Sequence, residues 1–294
     1  RFHYFFKKYE KLAGSGGILP TLKKNKWFMA QVPFFMAAEF FALKKLVKQI
    51  KPDVIHAHWI IPQGFIAALV KKFTGVPYVV TSHGSDIMGL KGFNSVKRFT
   101  LRNAKEITVV SNDLKSRVLN EIDDSLNVKV IPMGIDTKLF NPKQRDPKLK
   151  KKYGIDGPFL LFVGRLAPEK GIDLLIDAIP EVIRKSPESK LLVIGDGTLK
   201  KQLVKKVEEL NLKDNVLFLG WINHKDLPRY YASADILISP SKREGYGLTM
   251  AEAIASGSHV SKLLPKNGKI IIEKEKIKYF DWNIIYKIYM ELLK

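Results

Sequence analysis

Residues 159–203 read FLLFVGRLAPEKGIDLLIDAIPEVIRKSPESKLLVIGDGTLKKQL. An apolar run (FLLFV, 159–163) meets a glycine-bounded loop, an amphipathic segment of helical length opens near Ile172, and a second apolar run (KLLVI, 190–194) leads into another glycine loop. Short apolar runs alternating with helix-length amphipathic segments indicate parallel α/β structure. The rhythm continues on both sides. Strands are expected at 215–219 (NVLFL) and 235–239 (DILIS) downstream, and at 53–58 (DVIHAH), 77–82 (PYVVTS), 106–111 (EITVVS) and 128–132 (VKVIP) upstream. Before them Met36, Phe40, Leu43, Val47 and Ile50 mark one face of a helix. Between the two sets lies the polar, proline-interrupted NPKQRDPKLKKKYGIDGP, 141–158, which places a domain boundary near residue 150. The expected architecture is α/β with two doubly wound, Rossmann-like domains, 1–150 and 151–280, and a closing helix over 281–294. Such sheets bind ligands at the carboxyl ends of their strands, so the strand-to-helix loops are where chemistry is expected.

Composition narrows the function. With 294 residues, 46% of them hydrophobic, the chain can bury a large core, and it contains no cysteine, which excludes disulfides, thiolate metal sites and cysteine nucleophiles. The default compartment is cytoplasmic. A formal charge of +21 predicts attraction to polyanions: nucleic acid, anionic lipid or phosphorylated substrates. Eleven Lys or Arg against two acids fall within residues 1–52. Basic and aromatic residues there (Phe2, Tyr4, Phe5, Phe6, Trp27, Phe28) fit a peripheral membrane contact, and equally a buried aromatic cluster under a lysine-coated surface. The apolar stretch Trp27–Leu43 is too short and too polar to span a bilayer, and no cleavable signal is legible.

Four loops carry chemistry. GRLAPEKG (Gly164–Gly171) sets Arg165 and Lys170 beside a helix N-terminus, where free N–H groups favour a phosphate; a solvated basic loop is the bland reading. GDGTLKKQL (195–203) is a weak glycine signal that a plain tight turn also explains. KREGYGLTMAEAIASG (242–257) carries Glu244 before Gly245-Tyr246-Gly247 and Glu252 on the following helix. Carboxylates there suit sugar hydroxyls, and the glycines admit a ligand close to the backbone, although acids at a helix N-terminus are also favoured by its dipole. A glycosidase pair is disfavoured, because its carboxyl groups stand about 5–9.5 Å apart whereas eight helical steps rise about 12 Å. VVTSHGSDI puts His83 and Asp86 at the end of a strand, positioned for a substrate or for a structural contact. His56 and His58 share one side of their strand, but no carboxylate neighbours them at a useful spacing, and no metal is expected.

In order, HAHWIIPQGFIAALVKKFTGVPYVVTSHGSDI, VIPMGIDTKLFNP, LFVGRLAPEKGIDLLIDAI, LLVIGDGTLKKQL and LFLGWINHKDLPRYYASADILISPSKREGYGLTMAEAIASG resemble the retaining family 4 glycosyltransferases of the GT-B fold (glycosyltransferase group 1). The resemblance covers roughly residues 52–257 and implies two Rossmann-like domains facing a cleft. It further implies a metal-independent transferase that moves a sugar from a nucleotide-diphosphate donor such as a UDP-sugar, a co-substrate rather than a cofactor. The implied acceptor is lipid-linked or saccharide, as in polysaccharide biosynthesis. Gly164, Arg165 and Lys170 would hold the diphosphate, Glu244 with Gly245, Tyr246, Gly247 and Leu248 the sugar, Glu252 the ribose, and Gly220, Trp221 and Ile222 the base. His83 would face the transferred sugar, and His83, Arg165, Lys170 and Glu244 form the implied catalytic set. No Asp-x-Asp triplet occurs, in keeping with metal-free transfer. Family members carry roughly 60 further residues before the point where this chain opens, on the measure of domain size, and a second glycine-rich turn after the position of Gly257. An epimerase on the same fold, or a non-catalytic polyanion-binding module, would share much of this sequence pattern; no nucleic-acid-binding signature appears.

Overall fold

A computed structural model describes residues 12, 18, 21, 22, 25–90, 92–241, 245–266, 269–274 and 280–293. It divides into two compact units, residues 1–132 with 287–294, and residues 133–286.

In the first unit helix α1 (Val32–Ile50) begins with a proline in its first turn and ends where Lys51 turns left-handed at φ 46°. Its Met36, Phe40, Leu43 and Val47 pack against Ile55, Ile66 and Val70, so the expected helical face is the buried one. Ile50, the last residue of that pattern, is 62% exposed because the helix has reached its end. Strands β1 (Ile55–His58), β2 (Tyr78–Ser82), β3 (Glu106–Val109) and β4 (Val128–Val130) form a parallel sheet in sequence order. Every residue of β2 is buried, as a parallel strand covered on both faces requires. Helices α2 (Phe65–Thr74), α3 (Ser85–Met88), α4 (Asn94–Arg102) and α5 (Asn112–Glu121) make the connections.

The second unit opens with β5 (Gly134–Ile135) and α6 (Lys148–Lys152), and then alternates strictly. Its order is β6 (Phe159–Val163), α7 (Ile172–Lys185), β7 (Lys190–Ile194), α8 (Lys200–Glu209), β8 (Val216–Gly220), α9 (Leu227–Ser233), β9 (Ile236–Ser239) and α10 (Leu248–Ala255). The chain continues through β10 (His259–Lys266), β11 (Lys269–Lys274), β12 (Phe280–Asp281) and helix α11 (Trp282–Leu293), which is the expected closing helix. Spatially the sheet runs β11-β10-β9-β6-β7-β8, parallel except for the antiparallel β10–β11 pair. Separate apolar clusters cover the two faces: Leu161, Leu192 and Leu237 belong to one, Leu160, Leu191 and Ile238 to the other. That alternation along each strand is what makes the apolar runs continuous.

The units divide between Pro132 and Met133 rather than near 150. The polar stretch 141–158 is stitched into the second unit by Leu149 and Ile155, which join Ile135 and Phe140 just before it in that unit's core. The Asp146 amide donates to Ser233 Oγ (2.9 Å), and the Phe159 amide donates to the Asp235 carboxylate (2.8 Å). Among the described residues no helix is long and apolar enough to cross a membrane.

Candidate active site

Main-chain bonds lace together the loops at the carboxyl ends of β6, β7 and β8. The Gly164 amide donates to the Ile194 carbonyl (3.0 Å), Leu166 to Asp196 (2.9 Å), Leu199 to Leu166 (3.0 Å) and Gly195 to Gly220 (2.8 Å). Glycine is required for this closeness. Gly195 has φ +135°, and a Cβ on it would fall onto the Gly164 carbonyl; one on Gly197 would fall onto the Leu166 carbonyl. The GDG run is therefore a seam between loops and more than a turn.

On this platform Pro168–Lys170 form a 3-10 turn, Gly171 turns left-handed (φ +62°), and α7 opens at Ile172. A Cβ on Gly171 would strike the Pro240 carbonyl, so the β6 loop lies directly on the loop that follows β9. As a result Lys170 lines a small recess with Val163, Ser239, Ser241 and Thr249. Arg165 is half exposed and donates to the Glu169 carboxylate at 2.6 Å. An exposed pair of this kind contributes no more than about 1 kcal/mol, so a phosphate can displace it. Lys170 directly precedes Gly171, the residue that caps the N-terminus of α7, and Arg165 lies earlier in the same loop; a helix N-terminus with cations in the loop before it suits an anion.

The other expected site residues of this unit sit on the same edge of its sheet. Gly220 ends β8 with φ +72°, Trp221 is 74% exposed, and Ile222 packs on the core. Tyr246 also packs on the core, Gly247 (φ +80°) starts α10, and Leu248 is its first residue. Gly245 belongs to the same loop; Glu244, with Lys242 and Arg243, lies outside the described residues, as do Phe2, Tyr4, Phe5 and Phe6. Glu252 is 3% exposed. Its Oε1 accepts from His224 Nε2 and its Oε2 from the Tyr231 hydroxyl, both at 3.0 Å. Burial pushes the Glu252 carboxyl above the usual carboxylate range, and the two donors pull it back. Each oxygen keeps a second lone pair for a ligand hydroxyl. Neither His224 nor Tyr231 stands out in the sequence: they lie 28 and 21 residues from Glu252, with no periodicity linking them.

In the first unit Asp86 is a brace, accepting from the Ile60 amide (2.6 Å), Ser82 Oγ (2.7 Å) and the Gly84 amide (3.2 Å) while 2% exposed. It fixes the turn that carries His83 at the end of β2. His56 and His58 do share one side of β1, with ring centroids 4.4 Å apart. Among the described residues no group of three or more His, Cys, Asp or Glu is arranged to hold a metal ion.

Burial, with neighbouring histidines adding to it, lowers His56 to about 4, and burial lowers His58 and His83 as well. Their unfolded forms take a proton near 6.5 and the folded forms resist it, so stability is full above that pH and falls as pH drops towards 4. Burial raises Glu39 to about 7 from 4.5, which has the opposite sign: stability falls as pH rises through that interval. Melting temperature followed against pH is expected to lose part of its acid limb in His56→Gln and to gain stability near neutrality in Glu39→Gln. Parallel curves for wild type and both variants would contradict this assignment.

The fold matches solved GT-B glycosyltransferases. Sucrose-phosphate synthase from Thermosynechococcus elongatus aligns with TM-score 0.67 at 24% identity, over 81% of this chain and 61% of that one. The Anabaena HepE protein, solved in complex with UDP-glucose, aligns with TM-score 0.63 at 22% identity, over 76% and 62%. Residues 3–139 match the family described as Glycosyltransferase Family 4, and residues 145–260 match Glycosyl transferases group 1. The chain belongs to this glycosyltransferase family. An uncharacterized glycosyltransferase of Methanocaldococcus jannaschii is 30% identical over 239 residues, 78% of this chain and 61% of that protein. The UDP-Gal:alpha-D-GlcNAc-diphosphoundecaprenol alpha-1,3-galactosyltransferase of Escherichia coli is 30% identical over 259 residues, 81% and 63%. The chain thus spans about three fifths of the length of these relatives.

Proposed function

We propose that the protein transfers a sugar from a nucleotide-diphosphate donor to a saccharide or lipid-linked acceptor, with retention and without a metal. The observation that carries this reading is Lys170, which lines a recess between the β6 and β9 loops where Gly171 lies against the Pro240 carbonyl, with Arg165 in the same loop ahead of α7. In this reading the two cations and the helix amides stabilise the diphosphate as it leaves, which is the charge that develops in the transition state. Glu252, already oriented by His224 and Tyr231, accepts from the ribose. Exposed Trp221 flanks the base, Glu244 and the 245–248 backbone hold the sugar, and His83 faces it. The names of similar proteins support a UDP-linked donor: one was solved with UDP-glucose and one is named for UDP-Gal.

A panel of UDP-, GDP- and ADP-sugars tested by thermal shift checks the donor reading. At 100 times Kd the true donor adds about 2.7 kcal/mol of stability, and no shift with any of them would overturn the proposal.

The reading extends to the cytoplasmic membrane face. The solvent side of α1 carries Phe34 (56% exposed) and Phe41 (66%), followed by exposed Lys45 and Lys48. Residues 34, 41, 45 and 48 lie on one helical face, aromatic then cationic, a pattern that adheres to anionic lipid. Sedimentation with phosphatidylserine vesicles is expected to capture the protein at low salt and release it at high salt; failure at low salt removes this extension.

A further inference from the structure

The histidines of the HAH run have no place in the mechanism so far. In the structure His58 Nδ1 lies 2.8 Å from His83 Nε2, and the two rings stack at 5.1 Å and 23°. His56 lies against His58 and is itself tied down. Thr108 donates to the Val80 carbonyl (3.4 Å), and Thr81 Oγ1 lies 2.6 Å from Thr108 Oγ1. The Thr81 hydroxyl also lies 3.3 Å from the Tyr289 hydroxyl and 2.7 Å from His56 Nε2, so His56 is held in a network of hydroxyls. Tyr289 packs on the His56 ring at 5.0 Å, and Trp59 meets His83 edge-on at 5.9 Å. The nearby Asp86 carboxylate is occupied by Ile60, Ser82 and Gly84, and no hydrogen bond joins it to His83 among those of the described residues.

A neutral imidazole has one N–H and one acceptor nitrogen, and the bond made by one nitrogen decides what the other offers. Burial keeps both His58 and His83 below the ordinary histidine range, hence neutral at pH 7. We propose that His58 is a positioning residue for His83: it engages Nε2, holds the ring in one orientation and one tautomer, and leaves Nδ1 as the nitrogen presented to a sugar hydroxyl. This deepens, and rests on, the reading of His83 as the sugar-facing residue.

Two-bond 15N–1H correlation spectra of the full-length protein, labelled at histidine and recorded at neutral pH, test the pairing directly. A single His83 tautomer is expected in the wild type and a mixture in His58→Ala; an unchanged His83 signal in that variant overturns the proposal. With UDP-glucose as probe, release of UDP by His58→Ala is expected to show kcat lowered about 10- to 100-fold with KM nearly unchanged. His58→Gln, whose amide can replace the lost contact, is expected to recover most of that loss. Wild-type kcat in His58→Ala, or equal losses in the Ala and Gln variants, overturns it. His83→Ala separates the two claims: if it leaves kcat intact, the sugar-facing role fails, while the spectra still judge the pairing on their own.

Discussion

Lys170→Ala is expected to lower sugar transfer by about 10²- to 10³-fold, the usual loss when one preorganised donor to a developing oxyanion is removed. Gly171 can lie on the Pro240 carbonyl only because it has no Cβ, and this draws Lys170 over Ser239, Ser241 and Thr249. Leaving-group charge grows most in the transition state, so the loss should fall chiefly on kcat, with donor KM changing less. Arg165→Ala should cost less, because Arg165 begins in a pair with Glu169 that must be broken before it can serve. Steady-state kinetics on the three proteins decides the order. A Lys170→Ala enzyme within a factor of two of wild type would remove Lys170 from the mechanism.

The second large effect is on stability. Gly195→Ala is expected to cost about 2–4 kcal/mol, combining backbone strain in a region open essentially to glycine alone with a clash against a carbonyl that cannot yield. Relief of that clash must push the β6 and β7 loops apart, and with them the Gly164–Ile194 and Leu166–Asp196 bonds. Gly75→Ala is the control. It also has positive φ (+73°) but meets nothing within 4 Å, so it should cost only about 1 kcal/mol. Urea denaturation midpoints measure both; equal losses would mean that the seam between the loops adds nothing.

Much of the architecture is legible in the sequence because parallel strands covered on both faces must be apolar throughout. FLLFV, KLLVI and DILIS announce themselves for that reason, and their order fixes which loops share an edge. The unit boundary is harder to read. Polarity and prolines in 141–158 suggest a linker, yet four buried side chains, Ile135, Phe140, Leu149 and Ile155, decide its allegiance, and they carry no periodic mark. The loops of the site follow the same division. Arg165 and Lys170 are legible because cations beside a helix start have a local rationale. By contrast, the partners of Glu252 come from a different βα unit, and the demand for glycine at 195 comes from the carbonyl of another loop. The His58–His83 contact joins the end of β1 to the turn after β2, 25 residues apart in sequence and brought together only when those strands pair.

The central claim is that a diphosphate rests on the amides and cations where the β6 loop turns into α7. A crystal structure of the protein with UDP, or with whichever nucleoside diphosphate stabilises it most, tests that claim directly. Phosphate oxygens are expected within hydrogen-bond distance of Lys170 Nζ and the Arg165 guanidinium, with the Arg165–Glu169 pair opened. Phosphates bound elsewhere, with that pair intact, would contradict it.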